Sequence, residues 1–189
     1  MIDEETKTLW SHLLGRGMQG ELAGTQLKTL PSVLTDWESW RAEYPETRVL
    51  KLTRTGKEFT RDFYANPARF VLGVSRAGRA KAWPFEQLLK QPLVNDQFLD
   101  TPVVVYFEPK TGAGYIYERR RDARPLTFRQ RGDQVIDVET QSTWNLARGE
   151  ATAGPLAGQR LPPLVAIPSF RKSWLIFYPE SLVWEAESP

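Results

Sequence analysis

The apolar positions between residues 69 and 136 follow a strand-like pattern broken by turns. Phe70-Val71-Leu72-Gly73-Val74 is an apolar, β-branched run, Gly78 falls in a turn, and Arg79 to Trp83 returns as the second arm of a hairpin. Pro84 occupies the favoured first position of a short helix reaching about Lys90. Val103-Val104-Val105-Tyr106-Phe107 carries the strongest strand signal and predicts a central strand. Pro109-Lys110-Thr111-Gly112 then reads as a turn and Tyr115-Ile116-Tyr117 as its return. Leu126-Thr127-Phe128 and residues 134–138 flank Gly132-Asp133 as a third hairpin. The expected fold class is α+β: mainly antiparallel strands and hairpins with two or three short helices.

Outside this block the pattern repeats. Residues 3–49 and 137–183 align without a gap at an offset of 134, with 17 identities in 47 positions. Asp3, Glu5, Thr6 and Trp10 meet Asp137, Glu139, Thr140 and Trp144. Gly20, Leu22, Ala23 and Gly24 meet Gly154, Leu156, Ala157 and Gly158, and Ser39, Trp40, Tyr44, Pro45 and Glu46 meet Ser173, Trp174, Tyr178, Pro179 and Glu180. Such a register marks a duplicated structural unit. Within it, Leu27 and Leu30 are expected core anchors. Thr35-Asp36-Trp37-Glu38 reads as a capping box opening a helix to about Tyr44, with Trp37, Trp40 and Tyr44 on one face and Pro45 as its stop. The later copy is expected to use Ser169 as cap and Phe170 to Phe177 as helix, although Lys172 in place of Glu38 removes the reciprocal half of the box.

The organisation expected is therefore a first-repeat tail at 1–50, a polar linker or exposed strand pair at 51–68, and a second repeat at 69–189, made of a strand-rich head (69–136) and a tail (137–184). An offset of 134 places the head matching the first tail before residue 3. Either the chain is the later portion of a longer duplicated protein, or the tail alone was duplicated around one head.

Composition narrows the function classes. There is no Cys and one His, His12, which excludes disulfides, thiolate catalysis and multi-imidazole metal sites within one chain. No cofactor or metal is expected. A net charge of +2 gives little pull on polyanions, and no apolar run reaches the length of a bilayer span. The opening MIDEETK lacks the basic and apolar regions of a signal peptide. As written the chain reads as cytoplasmic, or as exported if a signal-bearing head precedes it.

The order VLGV, AKAWP, LVND, PVVVYFEPKTG, LTF, ETQSTWNL and GPLAGQRL resembles the family described as domain of unknown function 3179, over nearly the whole chain. The resemblance implies a tandem duplication with an upstream head, and brings no established activity. First heads of that family often carry a Cys-Pro-Leu-Cys segment on the central strand. This chain has Tyr106-Phe107-Glu108-Pro109-Lys110 at the corresponding place of its second head, so no thiol chemistry carries over.

The repeated acidic-aromatic motif, Asp3, Glu5 and Trp10 with Asp137, Glu139 and Trp144, offers two related ligand sites for a cation or sugar. The competing and favoured reading is a carboxylate holding a turn while Trp fills the core. The two Leu-Ala-Gly turns offer amides to an anion but carry no phosphate-loop lysine, so a tight structural turn is favoured. Asn95-Asp96 and Arg61-Asp62 match family positions, and a polar pair after Leu93-Val94 either enters a pocket or ends a strand. Arg119, Arg120, Arg121, Arg124, Arg129 and Arg131 form the densest basic stretch, a weak nucleic-acid surface or a solvated hairpin face. The favoured function is a non-catalytic binding or structural module with an unknown ligand. The first alternative is a carboxylate-dependent enzyme acting on a carbohydrate-like ligand, and the second is weak nucleic-acid binding through Arg119 to Arg131. Apolar residues of the first tail, left without a head, point to a homodimer hinged at 51–68, with fold-back onto the single head as the competing solution.

Overall fold

The computed structural model describes residues 1–49, 66–121 and 124–186. Arg61, Asp62 and most of the expected linker lie outside the described residues. The first tail holds strands β1 (Leu9–Ser11) and β2 (Arg16–Gln19) and helix α1 (Trp37–Glu43). The middle follows with β3 (Phe70–Arg76), β4 (Arg79–Pro84), helix α2 (Phe85–Lys90), β5 (Leu93–Phe98), β6 (Thr101–Glu108) and β7 (Ala113–Glu118). Short pieces β8 (Arg120–Arg121) and β9 (Arg124–Pro125) lead to β10 (Phe128–Arg131) and β11 (Gln134–Asp137). The second tail holds β12 (Thr143–Asn145), β13 (Glu150–Ala153), β14 (Ile167–Phe170), helix α3 (Arg171–Phe177) and β15 (Leu182–Val183). The class is α+β, mainly antiparallel hairpins with short helices, as the sequence predicts.

The sheets run β14-β3-β4-β15, β5-β6-β7 and β10-β11-β12-β13, and among the described residues only β15 against β4 is parallel. The apolar run of β6 explains their stacking. Val103, Val105 and Phe107 enter a core with Phe70, Leu72, Trp83 and Leu88, while Val104 on the opposite face enters a second core with Tyr117, Phe128, Leu146 and Trp144. A strand buried on both faces has no place for alternate polar residues, so it reads as continuous Val. A third cluster lies around Trp174, with Val71, Ala80 and Ala82.

The two tails share one backbone path. β1 and β2 pair Leu9 with Gln19, Trp10 with Gly17 and Ser11 with Arg16, with a bulge after Leu9. β12 and β13 pair Thr143 with Ala153, Trp144 with Ala151 and Asn145 with Glu150, with a bulge after Thr143. Every partner is displaced by 134, as are the isolated bridges Arg16–Gln26 and Glu150–Arg160. Helices α1 and α3 begin and end at equivalent residues, and in each a Trp ring lies 4.4 Å from the following Tyr ring.

Burial differs between the copies, and this corrects one expectation. Leu27 and Leu30 are not core anchors: they are 48% and 67% exposed, whereas their counterpart Leu161 is buried and Leu164 half-buried. The second tail runs beside β7, where Glu118 N donates to Pro162 O and Leu164 N to Ile116 O. Among the described residues no strand flanks the equivalent stretch of the first tail. The first tail nonetheless touches the second repeat: Leu13 packs on the Trp174 cluster, and Asn145 Nδ2 donates to Glu43 Oε2 at 3.3 Å.

Three local expectations also shift. Asp36, not Thr35, caps α1, accepting from Ser39 N at 2.8 Å. Ser169 does not cap α3, because β14 extends along β3 to Phe170, which takes the cap position without a side-chain bond. Pro84 closes β4 and caps α2 rather than starting it.

Candidate functional site

Asp3 and Asp137 sit at the centre of two copies of one hydrogen-bond network. Trp10 Nε1 donates to Asp3 Oδ2 at 2.9 Å, and Trp144 Nε1 donates to Asp137 Oδ2 at 2.9 Å. Thr6 and Thr140 each donate a hydroxyl and a backbone N–H to the same carboxylates. The hydroxyls continue to Thr8 and Ser142 at 2.7 Å, which in turn accept from Leu22 N and Leu156 N. The network thus ties each Trp-bearing strand to its Leu-Ala-Gly turn. The indole of Trp10 first, and Thr6 next, hold the Asp3 carboxyl well below the usual carboxylate range, because every donor favours the charged form. Glu139 accepts from Thr127 N at 2.7 Å, and Glu5 is exposed.

Asn95 and Asp96 do not end a strand, because β5 runs through both. Asn95 Nδ2 donates to Phe128 O at 2.7 Å and its Oδ1 accepts from Phe128 N at 2.8 Å, so the amide pairs with β10 as a neighbouring backbone would. Asp96 accepts from Lys81 Nζ and from Trp83 Nε1 at 2.9 Å, and so satisfies the polar edge of a fully buried ring. Arg119 donates to the carbonyls of Val103 and Leu126, and burial lowers its guanidinium below the usual value. Arg120 donates to Asp100 O and Arg121 to Gln159 Oε1, while Arg124, Arg129 and Arg131 are exposed.

Sequence reasoning missed the principal cavity. It encloses about 480 Å³ between α1, β7 and the 160–166 stretch, lined by Trp40, Tyr44, Tyr115, Tyr117, Arg148 and Pro163 among others. A smaller cavity of about 190 Å³ adjoins it, sharing Trp40, Tyr44, Tyr115 and Ala147 and adding Glu43 and Glu108. The tyrosines of β7 converge because alternate residues of a strand face one side. Tyr115 stacks on Tyr106 across the ladder at 6.1 Å. Burial pushes the Tyr117 and Tyr115 hydroxyls far up, and the charges of Glu108 and Glu43 add to the rise at Tyr115. They therefore remain protonated donors across the physiological range. The Arg148 guanidinium lies over the Tyr44 ring, 5.5 Å from its centre, and Arg160 pairs with Glu150 at 2.9 Å. Alternation of Tyr115-Ile116-Tyr117 was the available signal, but the partners of the cleft are far apart in sequence. Asp3 and Asp137 line neither cavity. Among the described residues, no three His, Cys, Asp or Glu side chains converge to hold a metal ion.

Two stretches of the chain, residues 1–70 and 66–188, match the family described as Protein of unknown function (DUF3179). No curated protein and no solved structure matches.

Proposed function

Since the chain belongs to the DUF3179 family, to which no activity is attached, we propose that it works as a non-catalytic binding module whose ligand lodges in the cleft between α1 and β7. The observation that carries this reading is the cleft itself: an aromatic cavity of about 480 Å³ with a few polar groups at its rim. That size and lining suit a small organic molecule. The acids of the duplicated motif support the same reading, since Asp3 and Asp137 accept from neighbouring donors and hold turns. The module comprises a first tail (1–50), a linker (51–68) and a second repeat (69–189), and its exposed first-tail face drives homodimerisation. Calorimetric titration of the full chain with phenylethanol, an uncharged aromatic probe, tests the ligand reading. Binding that Tyr115→Ala abolishes is expected. Binding indifferent to Tyr115 rejects it, as does the failure of every aromatic probe, neutral or charged, to bind.

A second reading rests on Glu43 and Glu108 lining one cavity: a carboxylate-dependent enzyme acting on a carbohydrate-like ligand. Release of reducing sugar from oligosaccharides, lost in Glu108→Gln, would support it. Oligosaccharides recovered intact after prolonged incubation would remove it.

A further inference from the structure

Where the two copies of the tail agree, they build the fold. Where they differ, several residues meet at the cleft. Glu43 stands where α3 has Phe177, and Arg148 stands where the first copy has Leu14. Trp40 and Tyr44, common to both copies, supply ring surface.

Glu43 and Glu108 face the smaller cavity together, and neither forms an ion pair among the described residues. Each has one modest partner: Asn145 Nδ2 donates to Glu43 Oε2 at 3.3 Å, and Thr111 Oγ1 donates to Glu108 Oε2 at 2.8 Å. The charges of both reach Tyr106 and Tyr115 and oppose ionisation of those hydroxyls. The face of an aromatic ring attracts cations. Tyr44 already holds one, the Arg148 guanidinium. Of the two arginines of the larger cavity, Arg160 is paired with Glu150, while Arg148 keeps its charge over the neutral Tyr44 ring, and the two acids of the smaller cavity outnumber it. Rings and an excess of carboxylates therefore meet at one end of the cleft, while Leu161, Pro162, Pro163 and Leu164 make the other end largely apolar.

Resting on the binding-module reading, we propose that the ligand is a small amphipathic organic cation. Its apolar body fills the space against Tyr117 and Pro163, and its ammonium or guanidinium group enters between Glu43 and Glu108 against Tyr44 and Tyr115. A cation there donates charge-assisted hydrogen bonds to the carboxylates. A neutral ligand forgoes that charge assistance, and an anion meets two like charges.

The test is calorimetric titration of the full chain with three probes of similar size: phenethylamine, phenylethanol and phenylacetate. Phenethylamine is expected to bind roughly tenfold or more tighter than phenylethanol, the difference a charge-assisted bond brings. Added salt should weaken the amine alone. Glu43→Gln and Glu108→Gln should each remove the preference for the amine while leaving phenylethanol unchanged. Both variants keep an acceptor for Asn145 or Thr111, so the local fold is retained, and unchanged phenylethanol affinity verifies it. If amine and alcohol bind alike, or phenylacetate binds tightest, the inference is overturned while the binding-module reading stands. If no probe binds, both fall.

Discussion

The indole of Trp174 lies across Gly73, its nearest ring carbons 2.4 Å from where a Cβ on that residue would stand. Trp174 is fully buried there, and its Nε1 donates to Ser181 Oγ at 2.8 Å. A methyl group at residue 73 has no room unless α3 shifts from the sheet. Gly73→Ala should destabilise the chain by about 1–3 kcal/mol, as overpacking does. Chemical denaturation measures it, and a Gly73→Ala/Trp174→Phe double variant should cost less than the sum of the two single changes. Strict additivity would show that the ring and the glycine do not interact.

The twin networks at Asp3 and Asp137 should differ in strength, because Asp3 and Trp10 are half-exposed whereas Asp137 and Trp144 are buried. Asp137→Ala strands the buried indole N–H of Trp144 away from water, at about 1–3 kcal/mol for an unsatisfied group. Asp3→Ala leaves donors that water reaches, and should cost less. Thermal melts of both variants decide the point, and equal losses would contradict the burial argument.

Stability should fall at both ends of the pH range. The Asp3 carboxyl is depressed in the folded chain, so its contribution is present above the unfolded carboxylate value of about 3.9 and is lost as pH falls below it. Asp3→Asn should flatten that acid limb. Tyr115 and Tyr117 are raised, so their contribution is present below the unfolded tyrosine value of about 10 and is lost as pH climbs past it. Tyr117→Phe should flatten the alkaline limb. Denaturation midpoints across pH read both, and an unchanged alkaline limb in Tyr117→Phe would mean that its hydroxyl does not govern it.

Ile2, Leu27 and Leu30 leave the first tail with exposed apolar side chains, being 61%, 48% and 67% exposed. Such side chains favour self-association. Sedimentation should show a dimer that dissociates on dilution. Leu27→Lys with Leu30→Lys should weaken it at least tenfold, or about 1.4 kcal/mol. A concentration-independent monomer would show that the contacts of the first tail with its own second repeat suffice and that its exposed leucines do not drive association.

How much was legible beforehand depends on the range of the contacts. Both tails form the same hairpin, bulge, Leu-Ala-Gly turn and Trp-Tyr helix, because the bonds that define them join residues within one short unit. Asp3 to Trp10 and Thr8 to Leu22 are examples, and 17 shared identities suffice to reproduce the pattern. The strands β3, β4, β6 and β7 were likewise legible from runs such as Val103 to Phe107, since a strand buried on both faces tolerates little but apolar side chains. Composition alone excluded thiolate chemistry and clustered imidazoles.

Burial and the cleft were not legible. Leu27 and Leu161 are identical residues in matching backbones, yet one is 48% exposed and the other 5%. The difference lies in β7, whose backbone pairs with the 162–164 stretch beside Leu161, while among the described residues no strand pairs with the stretch after Leu27. Asn95 looked like a strand end and instead mimics backbone for a strand 33 residues later. Glu43, Glu108, Tyr115 and Arg148 come from four separate segments and meet only because α1 lies against β7 and the loop after β12. Side-chain periodicity reports how each segment meets solvent or core. It carries no term for which distant segment supplies the other wall of a cavity, and that depends on how whole sheets and helices pack.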